Sequence, residues 1–135
     1  MMLYVNGQDI ERLVLGVICD AAWEVAPVTF AAAPEGYLAA IDAFLREQGR
    51  DRRQVTTLVV VRGPGSATSL RSSLALANAW AFAQSIELVG VEKCRDEDDD
   101  VILSQVAHAH TAPLLTPLYE QPAKITASTK DALGR

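Results

Sequence analysis

Short runs of hydrophobic residues separated by polar turns predict three strands in the first third of the chain. The first covers Leu3 to Asn6 and is closed by a turn at Asn6-Gly7. The second covers the Val- and Leu-rich run from Arg12 to Cys19, and a tight turn at Asp20 leads into a third from Trp23 to Ala31. Because the connections are short, we expect an antiparallel meander.

The spacing of apolar residues then changes to helical periodicity, interrupted by two further apolar runs. Val59, Val60 and Val61 are consecutive, which predicts a strand buried on both faces. The elements predicted after the meander are a helix from Pro34 to Gly49, a strand from Val55 to Val61, a helix from Ala67 to Gln84, a strand from Ile86 to Glu92 and a short helix from Asp100 to His108.

The element order β-β-β-α-β-α-β predicts an α/β fold with a mixed five-stranded sheet. Right-handed crossovers would place the last two strands parallel to the first. The length of 135 residues is that of one ordinary domain. We expect the folded lobe to cover residues 1–110, and prolines at positions 113, 117 and 122 predict an extended tail over residues 111–135.

Composition and net charge restrict the functional classes to which this chain can belong. Hydrophobic residues make up 50% of the chain and charged residues 21%, as in globular proteins. The net charge of -5 disfavours a protein that binds nucleic acid by itself, because phosphate binding needs a surplus of basic residues. Cys19 and Cys94 do not form a paired pattern, and no targeting or membrane-spanning pattern is visible. These features predict a cytoplasmic protein without membrane association.

The glycine-rich turn after the fourth strand is a candidate anion site, with Gly63, Gly65 and Ser66 as its binding residues. A strand, a glycine turn and a helix start together present free N–H groups to an anion. The loop lacks the lysine of a Walker motif, which makes it a weak candidate for ATP binding. The alternative is a turn that merely folds the chain, with Ser66 as helix cap. Gly63 and Gly65 are both predicted to adopt backbone angles closed to other residues.

The helix that follows carries no charged residue from Ser72 onward and is rich in alanine. A helix that is apolar all round must be covered on more than one side, and a single sheet covers only one. We therefore predict a protein partner on the other side; the alternative is that the C-terminal tail folds over the helix. The residues predicted at this interface are Ser66, Thr68, Leu70, Arg71, Leu74, Ala77, Asn78, Ala81 and Phe82.

The remaining candidates for chemistry do not assemble into a site. The acidic run from Asp96 to Asp100 is typical of a solvated loop with a helix cap, and cation binding is the lesser alternative. His108 and His110 lack further ligands at zinc-binding spacing, and Cys94 lacks a histidine base. We predict no catalytic residue and no metal ligand.

The segment from Gly49 to Lys93 resembles the central region of the TsaB (YeaZ-like) family of bacterial tRNA threonylcarbamoyladenosine synthesis. The family motif is Gly-Pro-Gly-Ser-Phe-Thr-Gly-Leu-Arg, followed by an alanine-rich helix and a strand. The matching residues are Gly63, Pro64, Gly65, Ser66, Thr68, Leu70, Arg71 and the strand from Ile86 to Val91. Ala67 and Ser69 depart from the motif, and Asn6-Gly7-Gln8 stands where family members have an Asp-Thr-Ser turn.

The resemblance implies a shortened form with one lobe of the actin-like ATPase, or ribonuclease-H-like, fold. It also implies a subunit that is not itself an enzyme and that binds and activates a TsaD-like paralogue, which holds the metal and transfers the threonylcarbamoyl group. A TsaE-like ATPase is a further implied partner, tRNA is reached only through the complex, and a homodimer is expected when the chain is alone. No cofactor is required on this reading. The alternative is a nucleotide-binding lobe of an actin-like ATPase or kinase.

Overall fold

The computed structural model describes residues 1–118, and the last part of the predicted tail lies outside the described residues. Within that range the chain forms one sheet and three α-helices, joined by short 3-10 turns. The strands are β1 (Met2–Asp9), β2 (Arg12–Cys19), β3 (Ala22–Ala31), β4 (Thr57–Gly63) and β5 (Glu87–Glu92), and the helices are α1 (Tyr37–Glu47), α2 (Ala67–Gln84) and α3 (Ile102–Ala107).

The five strands form a mixed sheet in the order β3-β2-β1-β4-β5. The central strand β1 pairs with β2 antiparallel and with β4 parallel, so that Leu3 lies between Val17 and Leu58. Strand β5 continues the parallel part beside β4. The predicted element order and the mixed five-stranded sheet are therefore confirmed.

Side chains alternate between the two faces of the sheet along each strand. Both faces carry apolar side chains, and helices cover both of them. On one face Leu3 and Val5 join the core formed with α1 and α2. On the other face Tyr4, Val59 and Val61 pack against Ile102 of α3. The burial of β4 on both faces, predicted from its consecutive valines, is confirmed.

Strand β1 extends further than the sequence predicts. The turn expected at Asn6-Gly7 is wrong, because the strand continues to Asp9 with an irregular register after Asn6. The reason lies outside the local sequence: Gln8 O accepts a hydrogen bond of 2.9 Å from the amide of Ser66, which holds this part of β1 extended. By contrast, positive φ angles at Asp20 and Ala21 confirm the tight turn before β3.

The segment after residue 110 folds back onto the domain. The amide of Ala112 donates to Leu88 O at 2.9 Å, so the chain lies along β5. Asn78 Nδ2 of α2 donates to Leu115 O at 3.0 Å, Asn78 Oδ1 accepts a hydrogen bond of 2.9 Å from the Leu115 amide, and Leu115 is buried. The alternative that the C-terminal tail folds over the helix therefore applies to one side of α2. Residues 111–118 cover the side that carries Asn78. In the described residues no helix combines the length and apolarity that a membrane span requires.

Candidate partner-binding surface and glycine loop

The glycine loop connects the buried end of β4 to the first turn of α2. Gly63 has a φ of +134°, as predicted, and a side chain there would collide with Leu118 O at 1.9 Å. Ser66 caps α2, because its side chain accepts a hydrogen bond from the amide of Ser69. The loop therefore sets the direction in which α2 runs back across the sheet.

The glycine loop is held against β1 by hydrogen-bond donors that would otherwise be available to a phosphate. The Ser66 amide donates to Gln8 O, and Gln8 Nε2 donates to Pro64 O at 2.7 Å and to Lys93 O at 2.5 Å. Gly65 lies so close to β1 that an added Cβ would stand 2.9 Å from Gln8 O. Its backbone is not left-handed, so the prediction of unusual angles is wrong at Gly65; close approach to a neighbouring strand is what requires glycine there.

We expect Gly65→Ala to lower the free energy of unfolding by about 1–3 kcal/mol. The methyl group would press on backbone atoms of β1, which cannot yield as a flexible side chain would. Gly36→Ala is the matched control, because nothing lies within 4 Å of a Cβ at that position. Urea unfolding of both variants measures the difference; equal midpoints would show that β1 does not constrain the loop.

A polar cleft of about 290 Å³ opens beside the loop, where β1 and the segment after β5 meet. Lys93 is buried in it and donates to Cys94 O at 3.0 Å. Asp99 accepts hydrogen bonds from the Tyr4 hydroxyl at 2.5 Å and from Asn6 Nδ2 at 3.1 Å. The cleft thus contains both signs of charge, and its polar groups are largely bonded to one another.

The acidic run next to the cleft is used for structure. Asp98 accepts a hydrogen bond from the amide of Asp100, and Asp100 accepts one from the Trp23 indole at 2.6 Å. Across residues 1–118, no group of three or more histidine, cysteine or acidic side chains could hold a metal ion. His108 and His110 are exposed, as are Cys19 and Cys94.

Burial raises the pKa of the Tyr4 phenol well above its usual range, and the hydrogen bond to Asp99 adds to the effect. The folded state therefore keeps this proton while an unfolded tyrosine loses it above about pH 10. We expect the free energy of unfolding to fall above that pH by up to about 1.4 kcal/mol per pH unit for this group. Burial also raises the pKa of Tyr37, so Tyr4→Phe should remove only part of the alkaline fall. Urea unfolding at pH 8 and at several values above about pH 10 measures it; an unchanged slope in Tyr4→Phe would contradict this assignment.

Helix α2 has a buried side and an exposed side, although its sequence gives little sign of either. Leu70, Leu74, Ala77 and Ala81 lie buried within the chain, and the last three belong to the core shared with α1. These four residues were predicted to contact a partner, and the structure corrects this: their side chains already pack inside the domain. Their spacing of four, three and four residues places them on one helical face.

The exposed side of α2 carries small residues, one arginine near the start of the helix and one large aromatic ring. Phe82 is 90% exposed, the most exposed of the large hydrophobic residues in the described range. Thr68 and Arg71 lie near the start of the same side, and Ala75 and Ala79 lie between them and Phe82. We call these five residues the α2 stripe. Of the predicted interface residues, Thr68, Arg71 and Phe82 fall on it, while Ser66 caps the helix and Asn78 binds the tail.

Comparison with known proteins gives the fold a class. Two solved structures align with 67% of the chain: YeaZ from Pseudomonas aeruginosa, with a TM-score of 0.57 and 18% identity, and an uncharacterized protein from Pseudomonas aeruginosa with similarity to the peptidase YeaZ, with a TM-score of 0.55 and 19% identity. The chain covers 43% and 42% of these proteins, less than half of each. The fold is that of the ribonuclease-H-like, actin-like ATPases.

The family follows from the sequence. Residues 34–117, more than half of the chain, match the profile of the TsaD family, described as tRNA N6-adenosine threonylcarbamoyltransferase, and the chain belongs to that family. The resemblance to YeaZ-like TsaB proteins is confirmed. No curated protein matches the chain.

Proposed function

We propose that this chain is a non-catalytic subunit that binds a TsaD-like enzyme through the α2 stripe and activates it in the threonylcarbamoyladenosine modification of tRNA. The observation that carries the proposal is the exposed Phe82 at the end of a helical surface that is rich in alanine and carries no charge after Arg71. Membership of the TsaD family supports the choice of reaction.

The stripe has the physical properties of a helix-packing surface. Burying a phenylalanine side chain contributes about 1.5–3 kcal/mol, which the isolated chain leaves unused at Phe82. Ala75 and Ala79 present only methyl groups, so a partner helix can approach their backbone closely. From Ser72 to Ile86 no charge would have to be desolvated on association. A second helix with a similar surface would fit this stripe.

The hydrogen bonds within the glycine loop support the proposal that this chain is a subunit whose partner carries out catalysis. The Ser66 amide and the Gln8 side chain bond within the chain, and Gly65 abuts β1. A loop used in this way holds α2 in position and thereby shapes the proposed interface. The activation of the partner would then depend on contact between helices and not on a nucleotide bound here.

An activity assay tests the proposal. The full chain is added in increasing amounts to a TsaD-like protein from the same cell, with unmodified tRNA and a threonylcarbamoyl donor, and modified adenosine is measured. We expect the rate to rise and saturate, no product with this chain alone, and no stimulation by Ala79→Glu. A rate that is independent of the chain would contradict the proposal.

The second candidate function is a nucleotide-binding lobe, which the polar cleft with the buried Lys93 favours. Calorimetric titration of the full chain with ATP and magnesium separates the two functions. We expect neither binding in the micromolar range nor ATP hydrolysis. Turnover that Lys93→Met abolishes would replace the first proposal by the second.

A further inference from the structure

A groove of about 460 Å³ lies at the opposite end of the sheet from the glycine loop, and it is lined mainly by arginines. It is formed by the end of α1, the 3-10 turn Arg52–Gln54 and Gln84 at the end of α2. Four of the twelve basic residues of the chain lie between Arg46 and Arg53. Four arginines and two aspartates line the groove, so it is locally positive in a chain of net charge -5.

The arginines can exchange their present partners at little cost. Arg50 pairs with Glu24 at 2.5 Å, Arg52 with Asp42 at 2.9 Å and Arg53 with Asp51 at 3.1 Å. All of these pairs are solvent-exposed in part, and such pairs contribute about 0–1 kcal/mol. The structure shows no ion pair for Arg46 with any other residue of the range 1–118.

Stabilisation of helix ends does not account for the whole cluster. Arg46 lies in the last turn of α1, where a cation offsets the negative end of the helix dipole. Arg50, Arg52 and Arg53 lie beyond that helix. The side chain of Arg53 is 85% exposed, so it adds little packing within the fold. Guanidinium groups bind phosphate oxygens through paired hydrogen bonds, and a groove lined by several of them suits a polyphosphate chain.

We propose that this arginine groove binds the sugar–phosphate backbone of tRNA while the chain is seated on its TsaD-like partner. The choice of tRNA rests on the proposed function. The groove includes Gln84 in the last turn of α2, so it lies at the end of the helix that carries the α2 stripe, although Gln84 and Phe82 point to nearly opposite sides of that helix. A tRNA bound to the partner would then reach the groove past the C-terminal end of α2. The acidic remainder of the chain would keep binding by the subunit alone weak.

Fluorescence anisotropy of a labelled, unmodified tRNA transcript tests the groove in the assembled complex. We expect Arg46→Gln combined with Arg53→Gln to weaken binding about tenfold at about 100 mM salt. The slope of log affinity against log salt should become shallower by about one to two. Arg12→Gln is the matched control: it removes one exposed positive charge beside Asp9, at the far end of β1 from the groove, and should leave affinity unchanged.

Several outcomes would overturn the inference. They are parental affinity in the double variant, an equal loss in Arg12→Gln, or dissociation of the protein complex, which would indicate that the arginines bind acidic groups of the partner. Circular dichroism melting verifies that the double variant is folded. If no complex forms, the proposed function fails by itself, and the same titration with the full chain alone at low salt decides whether the arginines bind RNA.

Discussion

Replacing Ala77 by glutamate is expected to unfold the domain, whereas the same replacement at Ala75 should leave its melting temperature almost unchanged. Both residues lie in the middle of α2, so the change in helix propensity is the same. Ala77 is 3% exposed and belongs to the core between the sheet and the helices, while Ala75 faces solvent. A buried, unpaired carboxylate costs several kcal/mol, a large share of the roughly 5–15 kcal/mol that stabilise a typical domain.

Thermal and urea unfolding followed by circular dichroism measure this pair of variants. Ala77→Glu should lose the cooperative transition or shift its midpoint strongly. Equal midpoints for the two variants would mean that α2 presents a different side to the sheet. The α2 stripe would then have to be defined anew.

Charge on the exposed side of α2 is expected to abolish association with the partner without affecting the fold. Ala79→Glu and Phe82→Glu place a carboxylate in the proposed interface, where it would be desolvated and unpaired. We expect the dissociation constant for a TsaD-like protein to rise by about a hundredfold or more, because truncating or charging a central contact costs about 2–4 kcal/mol or more. The melting temperature should stay within the range of surface substitutions.

Ser104→Glu is the control for this experiment. Ser104 is exposed on α3, which covers the opposite face of the sheet, so the variant adds the same charge away from the stripe. Calorimetric titration against the partner compares the three variants. An unchanged affinity in Ala79→Glu and Phe82→Glu, or an equal loss in Ser104→Glu, would contradict the proposed interface.

Much of the fold could be predicted because local patterns were strong. The bounds of β2 agree with the prediction, since Arg12–Cys19 is a dense apolar run between two turns. The bounds of α2 also agree, because Ser66 marks the start as a capping residue. Strand β1 was predicted too short. The bond between Gln8 and Ser66 that extends it joins residues far apart in sequence, and no local pattern reveals such a contact.

The candidate site was predicted less well than the fold. The absence of charged residues after Arg71 in α2 showed that the helix needs cover, but it did not distinguish the sides of the helix, because alanine is compatible with both. The spacing of Leu70, Leu74, Ala77 and Ala81 was the available signal for the buried face. The arginines between α1 and β4 could be seen in the sequence only as a polar connection; the fold turns them toward a common groove with Gln84.

Size-exclusion chromatography with light scattering tests the central claim most directly. The full chain is measured alone, then mixed with an equal amount of a TsaD-like protein from the same cell. We predict that the mixture elutes as one species with the mass of a one-to-one complex, and that any homodimer of the free chain disappears. Two separate species with the masses of the unmixed proteins would contradict the claim that this chain is a subunit of the modification enzyme.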